Sequence, residues 1–314
     1  MVKYAFVFPG QGSQHIGMGL ELYQNFKVAR DVFDEVDEAL GQNLFKLMSK
    51  GSENELTLTV NAQPAIMAVS MATIEVLKKD FGVDLNKISY VAGHSLGEYS
   101  AACAAGVFDL QTTAKLLRLR GETMQRAVPQ GVGGMIAVLG LSFKDVDALA
   151  EAASNEKAYC VAANDNADGQ VVLSGHMAAL ERVLEIASEF GAKKALMLPV
   201  SAPFHSPLME PAVKPMADAL HEVKSFDAKI PLVSNFSAMP YTSKEDIIAN
   251  LISQITGTVR WRESMAFLVE SGVTDIIEIG PSNVLSNMLK RSYKEIYTTA
   301  VHTTEDLEEL ANNL

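Results

Sequence analysis

The apolar run Tyr4 to Phe8 reads as a buried strand, and the glycine-rich segment Pro9-Gly10-Gln11-Gly12-Ser13-Gln14 after it reads as a loop. Helical periodicity then covers about Val28 to Leu40 and Gln63 to Phe81; the second is apolar on most sides, as a helix in mid-core is. Ile88 to His94 is a short apolar run that ends in Gly93-His94-Ser95-Leu96-Gly97, and a helix resumes from Leu96 to Ala105. Leu110, Ala114, Leu117, Gly121, Met124 and Val128 recur at steps of four and three, which draws one stripe along a helix from Leu110 to Val128.

Pro129-Gln130-Gly131-Val132-Gly133-Gly134 breaks that pattern. Strand, helix, strand, strand, helix and strand follow at about Met135–Leu139, Lys144–Ala153, Ala158–Ala163, Gln170–Leu173, Met177–Phe190 and Lys194–Leu198, the order of a ferredoxin-like unit. Beyond the loop Pro199 to Pro207 come a helix with an uncertain start at Pro211 and Pro215, and a strand at Ile230–Ser234. Helices at Lys244–Ile255 and Trp261–Ser271, a last buried strand at Ile276–Ile279 and a helix near Asn283–Lys290 complete the pattern. The expected architecture is α/β: an α/β-hydrolase-like core with a parallel sheet, formed by residues 1–129 and 199–314, and an inserted ferredoxin-like (βαββαβ) subdomain at 130–198.

With 314 residues and 48% hydrophobic content the chain can bury one large core and a smaller one. Lysine and arginine number 26 against 38 acidic residues, a net charge of −12, which makes nucleic acid and anionic membrane poor partners. From Met1 onward the chain runs into a strand-like segment without a basic leader. No run of 18 apolar residues free of charge stands out, so neither a signal peptide nor a membrane span is expected. Cys103 and Cys160 lie in separate apolar segments, which argues against a structural disulfide or a zinc site. A cytoplasmic monomer without metal or resident cofactor is the expectation.

The strongest chemical signal is the G-x-S-x-G pattern at Gly93–Gly97 between a strand and a helix. The glycines permit a sharp turn that exposes the Ser95 hydroxyl and aims the first amides of the next helix beside it, where an oxyanion would form. A bare match is also an ordinary tight turn. His94 adjoins the serine but points away from it, which suits a packed or hydrogen-bonded role better than that of the base. His302, His221 and His176 read as surface residues, and His15 lies in the early loop. His205, in Ser201-Ala202-Pro203-Phe204-His205-Ser206-Pro207, is held in a proline-stiffened loop. It is a candidate general base or, equally, a capping histidine ahead of a helix. No acidic residue announces itself as its orienting partner.

Arg120 borders the apolar stripe, with Leu116, Leu117, Thr123 and Met124 three and four residues away, whereas Arg118 reads as solvated and paired with Glu122. A buried guanidinium needs an anion. Either an internal Asp or Glu supplies it, or the carboxylate of a dicarboxylic acyl group does, held bidentately, which would separate malonyl from acetyl.

From about Tyr4 to Lys290 the chain closely resembles the malonyl-CoA:acyl carrier protein transacylases of bacterial fatty-acid synthesis. The resemblance rests on Phe8–Gln14, Gln63-Pro64-Ala65, Gly93-His94-Ser95-Leu96-Gly97-Glu98-Tyr99, Arg120-Gly121 with Met124-Gln125, Phe204–Met209, Val259-Arg260-Trp261 and Glu278-Ile279-Gly280-Pro281. It implies Ser95 as acylated nucleophile, His205 as base, the amides of Gln11 and Leu96 as oxyanion hole and Arg120 on the malonyl carboxylate. It further implies the backbone carbonyl of Gln254 as the group orienting the histidine, Phe204 as the malonyl-selective form of its motif, and malonyl-CoA (with coenzyme A released) and an acyl carrier protein as partners. Thr258, Ser282 and Pro203 depart from the family pattern and bear on local loop shape. A serine esterase or thioesterase would share Ser95 and His205 without needing Arg120, and a non-catalytic binding module would form no covalent adduct. For an acidic carrier protein the candidate basic residues are Lys115, Arg118, Arg182, Lys193 and Lys194.

Overall fold

The unbroken apolar run at Tyr4–Phe8 forms β1, buried along nearly its whole length, as a central parallel strand covered on both faces requires. The computed structural model describes residues 2–200 and 202–314; Met1 and Ser201, which begin the opening segment and the histidine loop, lie outside the described residues. The further strands are β2 (Ile88–Gly93), β3 (Gly133–Leu139), β4 (Cys160–Ala167), β5 (Gln170–His176), β6 (Lys194–Met197), β7 (Leu232–Val233), β8 (Pro240–Tyr241), β9 (Asp275–Ile279) and β10 (Tyr297–Val301). A six-stranded sheet runs β10-β9-β1-β2-β7-β8. All its pairs are parallel except β7–β8, so the expected parallel sheet forms, with one antiparallel strand added at its edge. Helices cover the large sheet, and the α/β-hydrolase-like core is formed in this way.

The second sheet, β4-β5-β3-β6, is wholly antiparallel. Helices Phe143–Ala153 and Met177–Ile186 link β3 to β4 and β5 to β6, completing the ferredoxin-like βαββαβ order, and they bury a separate apolar cluster with Ile136, Val138, Val171 and Leu173. On the opposite face Met135 and Val172 join the large core. β4 is fastened to the large sheet's side: Asp165 N–H donates to Val259 O at 2.9 Å and Val259 N–H to Ala163 O at 2.8 Å. Thr258, where the family pattern has proline, donates its hydroxyl to Ala162 O at 2.7 Å, and Arg262 grips the buried Asp165 carboxylate through two nitrogens at 2.8–3.0 Å.

Several elements differ from the sequence reading. β9 is not the last strand: β10 follows it, and then the helix Thr304–Asn313, started by a capping box at Thr303 and Asp306. Short helices at Leu20–Asn25, Leu44–Lys50 and Glu53–Thr57 also escape the periodicity, being too brief to show a stripe. The core helix begins at Thr59 rather than Gln63. That helix, Thr59–Lys79, is long and apolar enough to cross a bilayer, which the sequence reading did not expect, but 89% of the relevant window is buried inside the fold.

Candidate active site

Ser95 sits at the end of β2 with φ 54°, in the left-handed region that a non-glycine residue adopts only when its surroundings force it. Two glycines make this turn possible. A Cβ on Gly93 would lie 1.9 Å from Gly97 O, and one on Gly97 would lie 2.2 Å from Phe8 O. The turn is also clamped from a distance, because Asn235, buried just beyond β7, accepts from Ser95 N–H at 2.7 Å and donates to Gly93 O at 2.7 Å. With the Ser95 amide so occupied, the amides of Leu96 and Gln11 are donors that meet no backbone acceptor among the described residues, and both residues line the same cavity as Ser95. β1 and β2 are paired through Phe8 and Gly93, so these two amides leave adjacent strand ends and both residues line one cavity of about 290 Å³.

The structure brings His205 to Ser95. Its Nδ1 lies 2.8 Å from Gln254 O and its Nε2 lies 2.7 Å from Ser95 Oγ. A carbonyl can only accept, so Nδ1 carries the proton and Nε2 is the free base facing the hydroxyl. His205 also adopts φ 56°, in a loop closed by the Ser206 hydroxyl on Pro203 O at 2.7 Å. Burial, reinforced by the Arg120 charge, lowers its pKa to about 3 against the hydrogen bond it donates to Gln254 O, which would raise it. The imidazole is therefore neutral at neutral pH.

Arg120 reaches the same point from the helix Leu110–Arg126, whose buried face includes Thr113, Leu117, Arg120, Gly121 and Met124. Gly121 allows that helix to approach the start of Thr59–Lys79 closely: a Cβ there would be 2.7 Å from Val60 Cα. Arg120 Nη1 donates to Gln63 Oε1 at 2.8 Å, and Nη2 donates to Gln254 Oε1 at 2.8 Å and to Ser95 Oγ at 3.2 Å. The ion pairs among the described residues do not include it. All three acceptors are neutral, so of the two readings left open by the sequence an internal ion pair is not what holds this guanidinium. It is 2% exposed and lines the cavity, and the buried Glu98 carboxylate acts on it through its Coulomb field without forming an ion pair.

Other sequence expectations fare variously. His94 is hydrogen-bonded, its Nε2 2.8 Å from Asn166 Oδ1, and meets the Trp261 ring edge-on. His15, His221 and His302 are exposed, while His176 is half-buried against Tyr159. Arg118 is half-buried and donates to Gln42 instead of pairing with Glu122 in solvent. Arg182 spends its guanidinium on the carbonyls of Ala153 and Ala158, so of the five proposed basic residues Lys115, Lys193 and Lys194 are the exposed ones. Phe204 lines the cavity.

The sequence alone points to no role for Glu98, Asn235, Asn164 or Asn166. Glu98 is fully buried; its Oε2 accepts from Asn235 N–H at 3.1 Å and from Gln254 Nε2 at 2.7 Å, and burial pushes its pKa up to about 7. The lone charge in the small-residue helix Gly97–Ala104 was the available signal. Asn164 and Asn166 come from β4, so the inserted sheet supplies one wall of the cavity. A nucleophilic hydroxyl, a neutral base, two amide donors and an unneutralised guanidinium around one cavity can attack an activated acyl group that ends in a carboxylate.

Comparison with known proteins agrees with this chemistry. The profile of the family described as acyl transferase domain matches residues 5–310. The malonyl CoA-acyl carrier protein transacylase of Bacillus subtilis strain 168 is 44% identical over 308 residues, covering 98% of this chain and 96% of that protein. The crystal structure of the acyl-carrier-protein-S-malonyltransferase from Bartonella henselae superimposes with a TM-score of 0.97 at 48% identity, covering 99% of both chains. A malonyl-transacylase solved in complex with its type II PKS acyl carrier protein gives a TM-score of 0.95 at 38% identity over 99% of this chain and all of that one. Matched from end to end by such relatives, the chain belongs to the acyl transferase family, among its malonyl CoA-acyl carrier protein transacylases.

Proposed function

We propose that the chain moves a malonyl group from malonyl-CoA to the phosphopantetheine thiol of an acyl carrier protein through an ester on Ser95. The observation that carries this reading is the meeting of Ser95 Oγ with both His205 Nε2 at 2.7 Å and Arg120 Nη2 at 3.2 Å. His205 takes the Ser95 proton as the oxygen attacks the thioester carbon. The amides of Gln11 and Leu96 hold the oxyanion, each contributing roughly 3–4 kcal/mol by analogy with single-donor losses elsewhere. The intermediate collapses, the carbon–sulfur bond breaks, and the histidine returns its proton to the leaving thiolate of coenzyme A. The carrier thiol then reverses the sequence: it gives its proton to His205, attacks the ester and releases Ser95. Two half-reactions at one serine give ping-pong kinetics.

Arg120 binds the free carboxylate of the acyl chain, and Phe204 bounds the space beside it. The reaction so drawn needs no metal or resident cofactor. We place the enzyme in the cytoplasm as a monomer, with Lys115, Lys193 and Lys194 available to an acidic carrier. The test is transfer from malonyl-CoA and acetyl-CoA to the holo carrier protein by the parent and by Arg120→Ala. Malonyl transfer should fall at least about 100-fold, as loss of a charged hydrogen-bonding partner does, while acetyl transfer holds or improves. Equal losses for both acyl groups would make Arg120 structural.

A further inference from the structure

Gln254 does two separate things. Its peptide carbonyl receives the His205 Nδ1 proton at 2.8 Å, and its fully buried side chain reaches Arg120. Amide oxygen and nitrogen look alike, but here the surroundings choose. Gln254 Nε2 faces Ser95 O at 2.9 Å, Glu98 Oε2 at 2.7 Å and Asn235 Oδ1 at 3.4 Å. The first can only accept, and Asn235 Oδ1 is itself fixed as an acceptor by Ser95 N–H. With the nitrogen committed to that side, Gln254 Oε1 must face Arg120. The guanidinium is thus met by a neutral acceptor where a carboxylate would be the commoner partner, and Glu98 stands on the far side of the amide.

We propose that the Gln254 side chain is a specificity-determining positioning group: its one-way carboxamide aligns the Arg120 guanidinium without neutralising it, reserving the charge for the carboxylate of the acyl chain. A glutamate at this position would form an ion pair with Arg120 and compete with the substrate. An apolar side chain would leave Arg120 short of one acceptor and free to reorient toward Ser95 Oγ, 3.2 Å away. Selection of the acyl chain and orientation of the base therefore pass through one residue, by its side chain and its backbone respectively. This rests on the assignment of Arg120 as the carboxylate clamp.

Gln254→Met, close in volume, and Gln254→Glu both keep the peptide carbonyl and can be compared with the parent and with Arg120→Ala. The measurement is kcat/KM for malonyl-CoA over that for acetyl-CoA, with the His205 ring nitrogens followed by NMR. Both Gln254 variants should lower the ratio by about tenfold or more, the size of a lost hydrogen bond to a charged group, and the loss should lie in the malonyl-CoA KM. His205 should keep its Nδ1 proton. The proposal is overturned if the ratio stays at the parent value, if both acyl groups lose activity in proportion, or if the histidine tautomer changes together with the ratio. Should Gln254→Glu not fold, Gln254→Met alone decides. A parent-like ratio in Arg120→Ala would sink the clamp assignment itself, and is distinguishable from a failure confined to the Gln254 variants.

Discussion

His205 is the residue whose charge state the chemistry constrains most. It is 2% exposed, and its pKa lies near 3 in the fold against 6.5 for an ordinary histidine, burial and the Arg120 charge outweighing the Gln254 carbonyl. Between those two values the unfolded chain binds a proton here that the folded chain does not. Its contribution to stability is present above pH 6.5 and is lost as the pH falls toward 3. Nitrogen-resolved NMR should show His205 neutral and protonated on Nδ1 at pH 5.5, where an ordinary histidine is mostly cationic. A midpoint near 6.5 would contradict both the burial argument and the tautomer. The serine, the histidine and the arginine were each legible in the sequence as residue types in telling contexts. Glu98 and Asn235 were not, because their partners lie 137 and more residues away and only the folded chain brings them together.

At the scale of elements, the elbow was readable because strand, glycine, serine, glycine and helix are adjacent in sequence, so local sterics nearly dictate the turn. What adjacency does not reveal is how closely the neighbouring loop approaches. Gly97 has Phe8 O where a Cβ would be, at 2.2 Å, and Gly10 likewise has His94 O at 2.7 Å. Gly97→Ala should therefore push β1's loop away from the elbow, costing about 1–3 kcal/mol of stability and also separating the Gln11 and Leu96 amides. Urea denaturation together with acylation rate checks it: a variant with parent stability and parent rate would show that the close approach is dispensable. β10 and the helix Thr304–Asn313 were missed for a different reason. Tyr297–Val301 mixes exposed and buried positions at an edge of the sheet, so it lacks the continuous apolar run that marked β9.

Across the whole molecule the cavity belongs to neither sheet alone, since Ser95, Arg120 and His205 stand on the larger unit and β4 brings Asn164 and Asn166 to the opposite wall. The order of strands and helices in the insertion was evident from its spacing, whereas its docking depends on Arg262 and Asp165, which no pattern singles out, and on Thr258, which stands out only as a departure from the family pattern. Arg262→Met would strand the 98%-buried Asp165 carboxylate, a loss on the order of 2 kcal/mol concentrated at this joint. Hydrogen exchange should speed up along Cys160–Ala167 and malonyl transfer should fall with it. Unchanged protection of β4 would show that the backbone bonds of Ala163 and Asp165 to Val259 suffice.

Transfer as a whole turns on a malonyl ester at one serine beside a buried arginine that no ion pair holds. Its most direct test is to quench the enzyme after brief exposure to malonyl-CoA without carrier protein, digest it and locate the added acyl mass among the peptides. The prediction is a single malonyl group on Ser95, discharged by the thiol of a holo carrier protein and absent from Ser95→Ala. An adduct on any other side chain, or transfer that proceeds in Ser95→Ala at the parent rate, would contradict it.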